Sequence, residues 1–416
     1  SERICTIADH LNIDYEIISE PTERIEDSHC ALIVSRSHAR IAERIPNVKA
    51  VLEYNDTLIS VSEKGGTFRV GHARPDITGQ LTGLTFTSRS EDSGILNDLR
   101  APLDTLIQLN GQPYFVLKKH EDKDWYYWGQ RRIVDLDSAL DETGSNPSIF
   151  PFELIPIVMF LKFTFGIKFP AYACLIIDDP CLWKRYGFID FARAAVLARE
   201  EEFAFTIAFI PWNYHRSRRG TVRLFMENED RLSICVHGCD HTKREFGNVD
   251  HRFLSWKLSL ARRRMEAHQK RFGLPYDNVM VFPQGVFSRE AMGMLEQFGY
   301  SAAVNTDLRA ANYKGGLTLR ELLSPATAYY GSPLFLRHHA KEIKDIAIDL
   351  FLGRPVFVVQ HNLDFSDGWK TVLARIRKIK ELDPDLKWAP LGTIVSKYVQ
   401  TQSSSERRAL PIEMNY

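Results

Sequence analysis

The chain has 416 residues, which fits two domains better than one, because a single hydrophobic core rarely serves more than about 250–300 residues. Its composition, 44% hydrophobic and 25% charged, is that of a globular protein. The 53 basic and 53 acidic residues cancel, which argues against a nucleic-acid partner, since such proteins normally carry a basic excess.

The most apolar stretch, residues 154–167, is too short to cross a bilayer comfortably and contains Lys162. We interpret it as a buried helix or an interface segment and expect no transmembrane segment. No signal peptide is recognisable, and the six cysteines look like free thiols rather than a disulfide framework. The sequence therefore favours a cytoplasmic location, and it gives no indication of oligomeric state.

Residues 1–145 predict a smaller N-terminal domain that begins as α/β and continues as short strands separated by turns. It resembles the degenerate glutamine-amidotransferase-like domains that accompany some glycan-active enzymes. No nucleophile elbow bearing a cysteine is present, so we assign it no catalytic role. The predicted strands lie at 14–18, 31–34, 58–61, 67–70, 84–86 and 114–117, and the predicted helices at 7–11 and 37–45.

A polar, turn-rich stretch at 142–147 marks the predicted boundary with a second domain, residues 146–400, which a polar tail, 401–416, follows. From about residue 172 strands and helices alternate, which predicts a parallel barrel or a doubly wound sheet. Such folds place functional groups at the C-terminal ends of their strands. The predicted strands lie at 173–177, 203–210, 232–236, 279–282, 302–304 and 356–359.

Polar residues follow these strands directly: Asp178 and Asp179, then His237 and His241, and finally His361. A turn or helix cap would explain the aspartates, and satisfied loop histidines would explain the imidazoles. Together, however, one carboxylate and two imidazoles can form a three-ligand metal site with a position left open for water. The second carboxylate would then be free to act as a base.

In this order the motifs resemble those of the polysaccharide deacetylases of carbohydrate esterase family 4, over roughly residues 170–400. Asp178-Asp179 matches the family's Asp-Asp pair, His237 and His241 match its His-Ser/Thr-x-x-His motif, and His361 matches its last histidine. The resemblance implies a distorted (β/α) barrel. It further implies that Asp178 is the general base, that His361 is the general acid, and that Asp179, His237 and His241 bind a divalent metal, with Zn²⁺ preferred.

The family's groove motif, Arg-x-Pro-aromatic-Gly, appears here with two changes. The arginine that steadies the base is replaced by Val281, and the aromatic residue by Gln284. Gly238 also stands where the family has a hydroxyl residue. The resemblance implies that the backbone N–H of Gln284 is an oxyanion donor.

A carbohydrate is the predicted substrate. Trp212, Asn213 and Tyr214 follow a strand and could form a platform for a sugar ring, although core packing explains them equally well. Pro283 and Asp307 also follow strands and are predicted to line the same groove.

The predicted function is a metal-dependent hydrolase that removes N- or O-acyl groups from a carbohydrate. A glycoside hydrolase is an alternative, with Asp240 or Asp307 as the second carboxylate opposite Asp178. A non-catalytic protein for glycan binding or polysaccharide assembly is another. A Cys₂His₂ zinc site that includes Cys235 and Cys239 is a weaker one, because four donors in one short run cannot easily surround an ion.

Overall fold

The computed structural model describes residues 2–17, 31–43, 45, 48–56, 66–88, 92–97, 99, 103–120, 123–131 and 150–406, apart from 314–316, 329 and 340. The chain forms two compact units. The first comprises Ser1–Phe169 and Gly316–Leu323, and the second comprises Pro170–Gly315 and Ser324–Tyr416. The boundary that the sequence predicts at 145/146 lies outside the described residues.

The first unit contains a seven-stranded mixed sheet in the order β1-β2-β7-β6-β5-β3-β4. The first three strands of this order run parallel, and the remaining neighbours are antiparallel. The elements are α1 (Glu2–His10), β1 (Ala31–Ser35), α2 (Arg40–Glu43), β2 (Ala50–Tyr54), β3 (Gly66–Val70), α3 (Pro75–Thr78), β4 (Thr85–Ser88), β5 (Asp104–Leu109), β6 (Gln112–Lys119), β7 (Asp124–Trp128) and α4 (Ile155–Thr164).

The apolar stretch at 154–167 forms α4, whose residues 155–161 are all buried. The ring of Phe160 packs edge-on against Tyr126 of β7, with the centroids 5.2 Å apart. Phe152, just before α4, stacks on Phe86 of β4 at 4.3 Å. The stretch is therefore part of the core of the first unit.

Four of the predicted N-terminal strands, at 31–34, 67–70, 84–86 and 114–117, fall on β1, β3, β4 and β6. Residues 14–17 form no strand, because Tyr15 and Ile17 are exposed and the segment has no buried face to pair along. Residue 18 and the predicted strand at 58–61 lie outside the described residues. The strands β2, β5 and β7 have no counterpart among the predicted strands.

Seven parallel strands of the second unit, β8 and β11 to β16, close into a barrel, since β8 pairs with both β11 and β16. The predicted (β/α) barrel is thus confirmed. The elements are β8 (Tyr172–Asp178), β9 (Arg185–Tyr186), β10 (Ile189–Asp190), α5 (Phe191–Glu200), β11 (Phe205–Phe209), α6 (Arg219–Met226), β12 (Leu232–His237), α7 (His251–Phe272), β13 (Asp277–Val281), α8 (Arg289–Met294), β14 (Ala302–Asn305), α9 (Leu319–Leu323, in the first unit), β15 (Leu334–His339), α10 (Ile343–Phe351), β16 (Val356–Gln360), α11 (Lys370–Leu382), β17 (Lys387–Trp388) and α12 (Leu391–Glu406).

Alternation along the strands decides which side chains enter the barrel. The apolar interior includes Ile176 of β8, Cys235 of β12 and Phe335 of β15. Two residues further along each strand, the same inward face carries Asp178, His237 and Arg337. Polar groups thus replace apolar ones at the C-terminal end of the barrel.

Helix capping follows the sequence closely in this unit. The side chain of Asp250 accepts the first backbone N–H groups of α7, and that helix ends at Gly273 in the left-handed conformation. Ser288 caps α8. The helix α12 continues to Glu406, so the first six residues of the predicted tail are helical, and residues 407–416 lie outside the described part.

Two further expectations concern the whole chain. Within the described residues no helix is both long and apolar enough to cross a membrane. Five of the six cysteines are described, and all five are free thiols; Cys30 lies outside the described residues.

Candidate metal and catalytic site

Three predicted metal ligands converge at the C-terminal end of the barrel. The Nε2 atoms of His237 and His241 lie 3.4 and 3.3 Å from Oδ1 of Asp179. One donor atom from each residue falls within 4.8 Å of the other two. His237 ends β12, whereas Asp179 and His241 stand in loops with left-handed backbone conformations.

The hydrogen bonding of His237 determines which of its ring atoms faces Asp179. Its Nδ1 lies 3.0 Å from the carbonyl oxygen of Val281 and must carry the hydrogen, since a carbonyl oxygen can only accept. Nε2 therefore faces Asp179, whose buried Oδ1 has no hydrogen-bond donor among the described residues; without a proton on Nε2, both atoms present lone pairs. Lone pairs that face one another in this way require a proton or a cation between them. The donor set, one carboxylate and two imidazoles, fits a zinc ion.

The residue that sequence reasoning missed is Arg337, on β15. Its Nη1 donates a hydrogen bond of 2.8 Å to Oδ1 of Asp178, and both side chains are buried. Burial alone favours the protonated carboxyl, but Arg337, His237 and His361 together hold the pKa of Asp178 below its ordinary value. Asp178 is consequently ionised and held from one side.

His361 lies at the same mouth. Its Nε2 is 3.8 Å from Oδ2 of Asp178, and its side chain is about half exposed, at 51%. The side chain of Asp364 accepts the backbone N–H of His361 at 2.8 Å. In return, the side chain of His361 accepts the backbone N–H of Asp364, which completes a capping box. An imidazole that is fixed on one side and open to solvent on the other can reach a bound substrate.

The turn after β13 lies beside the loop that follows β12, residues 238–244, which carries His241 and is called the ligand loop below. Gln284 has a left-handed backbone conformation, with φ of 58°, and its Oε1 accepts the backbone N–H of Arg244 at 3.1 Å. Pro283 is buried in the same turn. The structure brings Gln284 and Pro283 to the predicted end of the barrel, and the role of the Gln284 N–H stays a prediction.

Trp212 and Asn213 belong to a short 3₁₀ turn, Pro211–Asn213, directly after β11, and Tyr214 follows them. Trp212 is half exposed, and the guanidinium of Arg264 lies 4.9 Å from its ring centroid. The indole is therefore a surface group rather than a core one. This exposure is compatible with a sugar platform but does not test it.

The two candidates for the second carboxylate of the glycoside hydrolase alternative, Asp240 and Asp307, already have partners within the protein. The carboxylate of Asp240 is ion-paired with Lys257 and Arg264, which disfavours it as a glycosidase carboxylate. Asp307 follows β14, and its Oδ1 accepts the backbone N–H of Arg309 at 2.8 Å.

The two cysteines of the Cys₂His₂ alternative are not part of the candidate cation site. Cys235 belongs to the apolar interior of the barrel, and burial raises the pKa of its thiol. Sγ of Cys239 is 3.2 Å from Nη1 of Arg264. Neither thiol is in the group of possible ligands that includes Asp179.

No protein-family model and no curated protein sequence matches the chain. Among solved structures, Agd3, described as a novel carbohydrate deacetylase, aligns with 97% of this chain and 86% of its own, at a TM-score of 0.57 and 8% identity. The chain has a polysaccharide deacetylase fold.

Two further solved structures align with little more than half of the chain. The family 4 carbohydrate esterase from Streptomyces lividans, solved with acetate, covers 53% of this chain, with 92% of its own length, at 13% identity and a TM-score of 0.33. The pseudoenzyme BA3943 from Bacillus anthracis covers 54%, with 65% of its own length, at 9% identity and a TM-score of 0.33.

The arginine that the resemblance leads us to expect at position 281 is absent, and another arginine reaches Asp178 from a different strand. Val281 ends β13, whereas Arg337 lies on β15, two strands further round the barrel. A basic residue at an inward position near the end of an apolar strand was the available signal. Because no strand is predicted at residues 334–339, Arg337 is not among the predicted site residues.

Proposed function

We propose that the protein is a metal-dependent hydrolase that removes acetyl, or other N- or O-acyl, groups from a carbohydrate. The observation that carries this proposal is the convergence of Asp179, His237 and His241 beside the Asp178–Arg337 pair. Metal-assisted hydrolysis of an acyl group requires a cation site next to an ionised, oriented carboxylate that can act as a base.

Asp179, His237 and His241 would hold a divalent ion, with zinc preferred. When bound, such an ion polarises the acyl carbonyl and lowers the pKa of water. The three side chains need little movement, since their donor atoms already face one another.

The other residues of the site divide the proton transfers between them. Asp178 takes the proton of the attacking water, because Arg337 keeps it charged and fixes the direction of its free oxygen. His361, on the open side of Asp178, donates a proton to the leaving amine or alcohol. The N–H of Gln284 would stabilise the developing oxyanion.

Exposed Trp212, with Asn213 and Tyr214 beside it, supports a carbohydrate as the substrate, because sugar rings stack on aromatic faces. Pro283 and Asp307 would line the same groove. The free thiols of the described cysteines favour a reducing compartment such as the cytoplasm.

Elemental analysis of the purified protein tests the proposal first. We expect about one equivalent of zinc or another divalent ion per chain, and its loss from the double variant His237→Ala/His241→Ala. Acetylated glycans can then be screened for acetate release by the metal-loaded protein. Absence of metal from the parent protein after incubation with excess zinc would refute the hydrolase and favour a non-catalytic glycan-binding protein.

A further inference from the structure

A buried carboxylate lies beneath the ligand loop, which carries His241 and directly follows His237. Glu245 is buried, and its Oε1 accepts the backbone N–H groups of Cys239 at 2.8 Å and His241 at 3.2 Å. Its Oε2 accepts the N–H of Asp240 at 3.2 Å and the hydroxyl of Thr242 at 3.3 Å. Three successive N–H groups of the ligand loop therefore point at a single side chain.

The helix α7 anchors this carboxylate from the other side. Nζ of Lys257 lies 3.2 Å from Oε2 of Glu245 and also contacts Asp240. Arg264, seven residues further along α7 and hence on the same face, contacts Asp240 as well. The charges are balanced, with two cations facing two carboxylates, so that burial of Glu245 is compensated.

The loop needs such support because its backbone is strained. His241 has φ of 57°, in the left-handed region that residues other than glycine rarely adopt, whereas Gly238, with φ of 61°, adopts this region without strain. A Cβ atom at position 238 would overlap both Oε1 of Glu245 and the ring of Pro283. The carboxylate of Glu245 thus fills the space beside Gly238. At the position of Gly238, the family that the motifs resemble carries a hydroxyl residue.

We infer that Glu245 is a positioning residue for the metal site: by binding three backbone N–H groups it fixes the ligand loop, so that His241 and the adjacent His237 both face Asp179. This inference rests on the metal site of the proposed function. Glu245 contacts the ligand loop through backbone groups, so its effect on the ion is indirect. Neighbours that orient metal ligands in this way typically contribute 10- to 100-fold to metal affinity.

The test is the zinc dissociation constant of Glu245→Gln, measured by competition with a chromophoric chelator. An amide keeps the shape, but its NH₂ group would face either the N–H of Asp240 and the Lys257 ammonium or the N–H groups of Cys239 and His241, donor against donor. We expect zinc affinity to fall at least tenfold. Near-ultraviolet circular dichroism should remain that of the parent protein.

The matched control is Asp349→Asn, which alters another buried, ion-paired carboxylate of the same unit, away from the ligand loop. Its zinc affinity should equal that of the parent. If Glu245→Gln fails to fold, Lys257→Gln replaces it, with a smaller loss of affinity expected because Oε1 keeps its two backbone donors.

The outcomes separate the two proposals. Zinc affinity within twofold of the parent in the folded Glu245 variant, or an equal loss in the Asp349 control, would overturn the positioning role while leaving the metal site intact. A parent protein that binds no zinc would overturn the metal site itself, and the positioning role with it. At saturating zinc, a positioning role also predicts recovery of most of the kcat for acetate release.

Discussion

At the scale of single residues, the Asp178–Arg337 pair has two consequences. Both side chains are at most 4% exposed, so each would be a costly isolated charge without the other. The hydrogen bond occupies Oδ1 of Asp178, while Oδ2 faces His237 and His361. Orientation and ionisation of the proposed base therefore depend on one contact.

Replacement of Arg337 should impair catalysis without removing the metal. We expect Arg337→Met to lower kcat about 100-fold, since loss of precise orientation at a reacting group has costs of this order. Zinc content should stay near one equivalent, because the hydrogen bond of Arg337 goes to Asp178, which is not one of the three proposed ligands. The measurements are kcat for acetate release and elemental analysis, with Arg354→Lys, which alters a buried arginine paired to Asp349, as the control.

His361 gives a second prediction, which depends on the leaving group. His361→Ala should lower kcat for an N-acetylated sugar by about 10²- to 10⁴-fold, because an amine leaves only when it is protonated. For 4-nitrophenyl acetate, whose phenolate leaves without a proton, the same variant should lose much less activity. Equal losses on both substrates would contradict the role of His361 as an acid.

At the scale of elements, the strand-end loops concentrate the strain of the site. Asp179, His241 and Gln284 all have φ between 57° and 83°, although none is glycine. Each stands within four residues of the end of β8, β12 or β13. Such conformations cost about 1–3 kcal/mol each and persist only where surrounding contacts impose them. The barrel strands provide rigid ends, and the loops that follow these ends set the orientation of the proposed ligands.

Gly238→Ala tests this argument on the β12 loop. The added methyl group meets Glu245 and Pro283 at a left-handed backbone position, so the loop must move. We expect zinc affinity to fall at least tenfold and the melting temperature to drop. Gly220→Ala in α6 is the matched control, because a Cβ there meets nothing within 4 Å, and helical alanine is favourable. An unchanged affinity in Gly238→Ala would show that the loop is not held as tightly as its contacts indicate.

At the scale of the whole molecule, successive residues of β15 make buried charge contacts on the inner and the outer face of the barrel. Arg337 points inward to Asp178, while the next residue, His338, points outward and lies 2.7 Å from Oδ2 of Asp349 on α10. Asp349 is also paired with Arg354, at 3.2 Å, and Glu342 lies 3.7 Å from His338. This cluster fastens α10 to the strand that carries the arginine of the site.

The cluster predicts a pH dependence of stability. Burial alone would lower the pKa of His338, but Asp349 and Glu342 raise it from 6.5 to about 9. Because the folded state binds the proton more tightly, this stabilisation is complete below pH 6.5 and is lost as the pH rises through about 9. The shift corresponds to roughly 3 kcal/mol.

Thermal unfolding of the parent and of His338→Gln between pH 6 and 10 checks this prediction. The difference in melting temperature should be largest at pH 6 and should shrink steadily towards pH 10. A difference that does not change with pH would mean that His338 is neutral in the folded protein.

Much of the second unit could be predicted from sequence because its signals are local. Apolar runs marked most barrel strands, Asp250 and Gly273 marked the ends of α7, and polar residues at strand ends marked Asp178, His237 and His361. Parallel strands bring their C-terminal ends to one edge whatever lies between them, so the convergence of the predicted ligands follows from the fold class.

What only the tertiary structure decided concerns partners distant in sequence. Asp178 and Arg337 are separated by 159 residues, and the strand that carries Arg337 ends in Arg-His-His, which hides its apolar character from a local pattern. In the sequence, Glu245 looks like an ordinary surface residue, and only the folded structure shows that it is buried beneath the ligand loop. Local patterns determine which groups stand at the ends of strands, but closure of the barrel determines which buried charge meets which, because compensation of a buried charge is a property of its neighbours in space.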